Sequence, residues 1–184
     1  MNLVFHFLLA HFIADYPLQN GWLIKSKRRS FWGVLLHTFI HLAVVSAALL
    51  PFWGYQEVRW AIGVIFVTHT AIDQLKIFAD SRLPKCRLLC YGADQLLHWA
   101  IIGALSLYIG VRVPVLPFEW MAFYADKSVV AYVLALVVST YFWDITRWFW
   151  RTRKEPVPYR RDYKMMAWNV FIVSIAFAVY WMAY

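Results

Sequence analysis

The chain has 184 residues, 62% of them hydrophobic, 20% aromatic and only 15% charged, with a formal net charge of +8 and a mean hydropathy of +0.55. Soluble domains average roughly 45–50% apolar and about 25% charged residues, so there is too little polar surface here to coat a soluble core. The positive charge points to anionic lipid headgroups as partners, and no nucleic acid is expected.

The fold class this implies is all-α, an integral membrane bundle of about six transmembrane helices. A spanning helix needs ~20 mostly apolar residues. In chain order the segments are Asn2–Gln19, Phe31–Phe52, Val58–Phe78, Ala93–Val111, Ser128–Trp148 and Met165–Tyr184. The first has no basic region ahead of it and carries His6, His11 and Asp15, so it is read as a retained helix rather than a cleavable signal. Asn20-Gly21, Pro51 to Gly54, Pro114 with Pro117, and Pro156 with Pro158 separate the segments. The expected organisation is a single transmembrane domain, with residues 1–111 as a four-helix polar core and 112–184 as a loop and two supporting helices. The segment Arg112–Lys127, with Phe118, Trp120 and Phe123, is expected on the membrane surface.

Basic residues set the orientation. Fifteen of the 18 Lys and Arg fall in the first, third and fifth loops, and only Arg59, Arg112 and Lys127 fall on the other side. The positive-inside rule makes those three loops cytoplasmic and both termini periplasmic, in a bacterial inner (cytoplasmic) membrane. Cys86 and Cys90 then lie on the reducing side, as ordinary thiols rather than a disulfide.

Within the spans, ionisable residues recur at one spacing. The pairs are His11 and Asp15, His37 and His41, His69 and Asp73, and Asp94 and His98. An i, i+4 pair shares one helix face, with Cβ atoms about 5–6 Å apart. Because alternate spans run in opposite directions, the pairs sort by depth. Asp15, His37, Asp73 and Asp94 form a shallow layer, and His11, His41, His69 and His98 form a layer about 6 Å deeper. A single pair is most simply interhelical hydrogen bonding. Four pairs at matched depth point to a site, because buried charges in a bilayer are costly and mark function by default.

Imidazole with carboxylate is a divalent-metal donor set, so all eight residues are candidate ligands, with zinc the expected ion and iron or manganese the alternatives. Asp15, Asp73 and Asp94 are the candidate catalytic groups, since a carboxylate can take a proton from a metal-activated water. Gln19, Lys25, Lys76 and Gln95 are candidate substrate-binding residues around the site. His6 lacks an i+4 polar partner and is read as a packing or hydrogen-bonding histidine. Asp144 and Arg147 are read as an i, i+3 ion pair.

The runs His11-Phe12-Ile13-Ala14-Asp15-Tyr16-Pro17-Leu18-Gln19 with Trp22 and Lys25, His37 to His41, His69 to Lys76, and Asp94 to His98 resemble the signature of a bacterial multi-pass membrane family classed as a domain of unknown function (3307). The resemblance covers roughly the first hundred residues. It implies a bacterial or phage setting and no activity. In style the pattern is similar to membrane-bound metal-dependent hydrolases, which carry His/Asp pairs on helices.

The leading expectation is therefore a metal-dependent hydrolase acting on a lipid-linked or amphiphilic substrate. The alternatives are a transporter or channel for protons or divalent cations, and a non-catalytic membrane partner or sensor whose polar layers are structural. A homo-oligomer is compatible with each.

Overall fold

The computed structural model describes residues 3–113, 124, 126–152 and 158–183. These residues are helical, with no strand among them. The helices are α1 (Val4–Asp15), α2 (Gly21–Arg29), α3 (Phe31–Ala48), α4 (Gln56–Arg82), α5 (Arg87–Gly110), α6 (Lys127–Val137), α7 (Trp143–Thr152) and α8 (Tyr163–Ala183). A π-helical turn at Val138–Phe142 joins α6 to α7. Five stretches are long and apolar enough to cross a membrane: α3, α4, α5 with its preceding turn, α6 through α7, and α8.

The first expected span is shorter than anticipated. α1 has 12 residues, a rise of about 18 Å, and cannot cross a ~30 Å hydrocarbon core alone. Pro17 explains its end, since proline disfavours helical conformation in the residue before it. Gln19 consequently lies beyond the helix. The other five expected spans coincide with helices, displaced by a few residues at their ends. α5 begins at Arg87, so Cys90 lies in its first turns. Cys86 and Cys90 are both free and half-buried.

The first basic loop is itself largely a helix. Asn20 caps α2 by accepting from the Leu23 backbone N–H at 2.9 Å, which satisfies one of the open donors of its first turn. Lys27, Arg28 and Arg29 fill its last turn, where cations oppose the negative end of the helix dipole. Ser30 then caps α3 by accepting from Gly33 N–H at 3.1 Å. Glycine at position 33 is required by packing: a Cβ there would lie 2.3 Å from the Ser26 carbonyl carbon.

α1, α3, α4 and α5 close a ring, each packed against its two neighbours. One end of the ring is filled by an apolar cluster that includes Leu3, Phe7, Val45, Leu49, Phe52, Val58, Ile62, Ile65, Ile102 and Ile109. The other end holds the ionisable residues. α6 packs on α1, and α8 packs on α6 and the π turn. Outward faces carry large exposed apolar side chains such as Leu107, Trp168, Phe171 and Met182, the composition of a surface solvated by lipid. Phe118, Trp120 and Phe123 of the expected surface segment lie outside the described residues.

Candidate functional site

The i, i+4 pairs on α1, α3, α4 and α5 all point into the ring. His11, His37, His41 and His69 are at most 1% exposed, and Asp15, Asp73, Asp94 and His98 are also buried. The four deeper imidazoles form a closed quartet. Ring centroids are 5.4 Å apart for His11 and His41, 4.0 Å for His41 and His69, 4.3 Å for His69 and His98, and 5.0 Å for His98 and His11. A void of about 10 Å³ lies among them, with Ile65, Thr68, Ile101 and Ile102 completing its wall. That volume is near the minimum that admits one water-sized species.

The shallower residues sit directly above. His37 Nε2 is 3.1 Å from His69 Nε2 and 3.1 Å from Asp15 Oδ1. His69 Nε2 is 3.6 Å from Asp15 Oδ1, and Asp73 Oδ2 lies 3.6 Å from His37 and 3.7 Å from His69. His11 Nδ1 is 3.2 Å from His41 Nε2. Ligands held about 2.0–2.1 Å from zinc stand ~3.3 Å from one another around a tetrahedron, so residues at these separations could hold one ion between them.

Three overlapping groups bring their donor atoms within 4.8 Å of one another: His11, Asp15, His41 and His69; His37, His69 and Asp73; and Asp73, Asp94 and His98. His69 and Asp73 are shared between groups. The donor chemistry also fits a cation. His98 Nδ1 donates to the Asp94 carbonyl at 2.8 Å, while its buried Nε2 has no hydrogen-bond partner among the described residues; nor do His11 Nε2 and Asp94 Oδ1, which lie 3.6 Å from Asp15 Oδ2 and 3.8 Å from His98 Nδ1. A ligating histidine is characteristically fixed in this way, one nitrogen bonded to a carbonyl and the other left to the metal. Buried polar atoms without partners are otherwise costly.

Above the carboxylates opens a cavity of about 470 Å³. Asp15, Asp73, Asp94 and Gln95 form its floor, and Lys25, Lys27, Arg28 and Lys76 line its upper part. Ile24, Ile77, Ile145, Trp148 and Phe149 supply apolar wall. All four candidate substrate-binding residues border it. Gln19 donates from Nε2 to the Asp15 carbonyl at 2.8 Å and accepts from Lys27 Nζ at 2.9 Å. Gln95 donates to Asp94 Oδ2 at 3.0 Å. Residues 3–124 match the model of a family described as a protein of unknown function (DUF3307).

The chain belongs to the DUF3307 family.

The DUF3307 match covers α1 to α5, and so every residue of the ring and its two ionisable layers, while α6 to α8 lie beyond it. No curated protein and no solved structure matches the chain.

Sequence reasoning missed several residues of this DUF3307 site. Lys27, counted only as a basic loop residue, pairs with Asp73 Oδ2 at 2.7 Å. Tyr16 and Tyr91 share a 2.9 Å hydrogen bond at the cavity wall, and Tyr91 bonds Thr146 at 3.1 Å. Thr146 donates to the Phe142 carbonyl at 2.8 Å, so Tyr91 donates to Thr146 and Tyr16 donates to Tyr91.

The expected Asp144–Arg147 pair does not form. Asp144 instead accepts from the Tyr159 hydroxyl at 2.7 Å and the Asp162 backbone N–H at 3.4 Å, and Arg147 lies 3.6 Å from Asp162. Tyr159 and Asp162, just ahead of α8, lie against Asp144 and are its nearer partners. Burial pushes the Tyr159 phenol above its ordinary pKa, so it remains the donor of that bond. His6 is a hydrogen-bonding histidine as expected, donating to the Tyr124 carbonyl at 2.9 Å.

Proposed function

We propose that this protein is a metal-dependent hydrolase of the bacterial cytoplasmic membrane, cleaving an ester linkage in a lipid-linked or amphiphilic substrate that enters from the cytoplasmic side. The observation that carries the reading is that the His/Asp cluster forms the floor of a cavity with a cationic rim and an apolar wall. Such sites are largely apolar with a few convergent polar groups, and roughly 300–1,000 Å³ in size.

His11, His37, His41, His69, His98, Asp15 and Asp73 are the residues that hold one or two divalent ions, zinc first, and Asp94 acts beside them. A bound ion supplies Lewis acidity and lowers the pKa of a water to about 7. Asp94 presents Oδ1 without a hydrogen-bond partner, 3.8 Å from His98 Nδ1, while Gln95 holds its other oxygen. It takes the proton from the attacking water and returns it to the leaving oxygen as the ester bond breaks. Asp15 and Asp73 stay anionic and balance the cation. Trp148 and Phe149 hold the apolar part of the substrate. The basic residues around the mouth support a cytoplasmic opening.

A transporter needs a route onward from the site. The apolar cluster behind the histidines is closed by Phe7, Leu49, Phe52 and Ile109. Thr38 and Thr68 nearby donate to carbonyls of their own helices, Val34 and Val64. This favours a one-ended pocket over a channel.

Elemental analysis of the detergent-purified chain should find about one or two zinc, iron or manganese ions. His41→Ala with His69→Ala should abolish that content. Asp94→Asn should keep the metal and lose hydrolysis of a fluorogenic long-chain ester or phosphoester. Retention of stoichiometric metal by the double variant would sink the assignment.

A further inference from the structure

Four cations line the cavity together with the carboxylates of its floor and Asp80, and among the described residues only Lys27 has a carboxylate within ion-pair distance. Lys27 Nζ lies 2.7 Å from Asp73 Oδ2 and is only 12% exposed. Lys25, Arg28 and Lys76 have no carboxylate within ion-pair distance among the described residues. The one paired ammonium is thus bound to an oxygen that also sits within 3.7 Å of both His37 and His69. Lys27 therefore occupies the place where a cation bound to those imidazoles would meet Asp73. Two cations cannot share one carboxylate oxygen at these distances without strong repulsion in a buried site.

Resting on the metal-site reading above, we propose that Lys27 and a divalent ion compete for Asp73, and that the displaced Lys27 joins Lys25, Arg28 and Lys76 to bind the phosphate group of an amphiphilic substrate. Lys27 stands on α2, beside Lys25 and Arg28, so release from Asp73 turns it into the same cavity without moving the helix. A phosphate ester carries about −1.5 to −2 charges and three strong acceptor oxygens, which matches a rim of several cations better than a carboxylate does. The apolar wall of Ile24, Ile77, Trp148 and Phe149 suits the chain attached to it. Metal loading thereby prepares the anion site, and by linkage each ligand strengthens the other.

The test uses the full chain in detergent, stripped of metal with a chelator, and follows zinc binding by calorimetry. Lys27→Met should bind zinc about tenfold more tightly than the unaltered chain. Lys27→Gln, which can still hydrogen-bond Asp73 and Gln19, should shift in the same direction and guards against a variant that merely misfolds. Methylphosphonate should bind more tightly after zinc loading, and Lys27→Met should reduce that gain. Lys25→Gln with Lys76→Gln should weaken methylphosphonate at least about tenfold with zinc affinity unchanged. Phosphatidate in nanodiscs should compete with methylphosphonate where phosphatidylcholine does not; failure to compete overturns the amphiphile assignment. Equal zinc affinity with and without Lys27 overturns the exchange while leaving the metal site standing. Absence of zinc binding in every form removes the metal reading itself.

Discussion

The ammonium of Lys27 lies 2.7 Å from the carboxylate of Asp73 and fastens α2 onto the wall of the four-helix ring. Both groups are largely buried, so each depends on the other for charge balance. Removing one partner of such a pair costs about 3–5 kcal/mol, because the other charge is left uncompensated. In metal-free protein, Asp73→Asn should lower the melting temperature sharply. Combining it with Lys27→Met should recover much of the loss. Additive losses in that double-variant cycle would show that the contact carries no coupling.

Gly33 leaves room for the Ser26 backbone where α2 meets α3. Gly33→Ala forces the helices apart, at about 1–3 kcal/mol for an overpacked contact. Thermal unfolding in detergent should register that loss, while Gly63→Ala, with nothing near its added carbon, should be neutral.

Tyr91 links Tyr16 to Thr146 and so ties α1 and α5 to α7. Tyr91→Phe leaves the buried Tyr16 hydroxyl without its acceptor. A stability loss of about 1–3 kcal/mol is expected, measurable by chemical or thermal denaturation, with metal content unchanged. Loss of bound metal in this variant would mean that the tyrosines belong to the coordination site.

The apolar cluster that closes the ring should make the protein tight to ions. Proteoliposomes carrying the unaltered chain should hold a proton gradient as well as empty vesicles do. A flux that Asp73→Asn abolishes would instead establish transport.

Much of the site was legible because helix geometry is local. An i, i+4 spacing fixes two side chains on one face whatever the fold, so His11 with Asp15 and His69 with Asp73 could be paired from the sequence. Alternating helix direction then fixed relative depth, and the quartet of His11, His41, His69 and His98 follows from it. Contacts distant in sequence were not legible. Lys27 is indistinguishable from its basic neighbours until α2 folds back over the ring, and Tyr16 meets Tyr91 only because α1 lies against α5. Spacing pairs Asp144 with Arg147, yet Tyr159 and Asp162 ahead of α8 lie closer to it. The shortness of α1 did have a local sign in Pro17. The π turn at Val138–Phe142 had none.

The site is reached by a cavity from one surface and sealed by packed side chains toward the other. Where such a chain crosses a polarised membrane, voltage falls mainly across the sealed part, since the open part conducts. With the mouth on the cytoplasmic side, as proposed above, the floor of the cavity lies electrically close to the cytoplasm. A full elementary charge crossing 100 mV is worth about 2.3 kcal/mol, and a cation arriving at Asp73 would traverse only a minor share of that drop. Metal occupancy in energised cells should accordingly track cytoplasmic ion concentration and remain nearly indifferent to membrane potential.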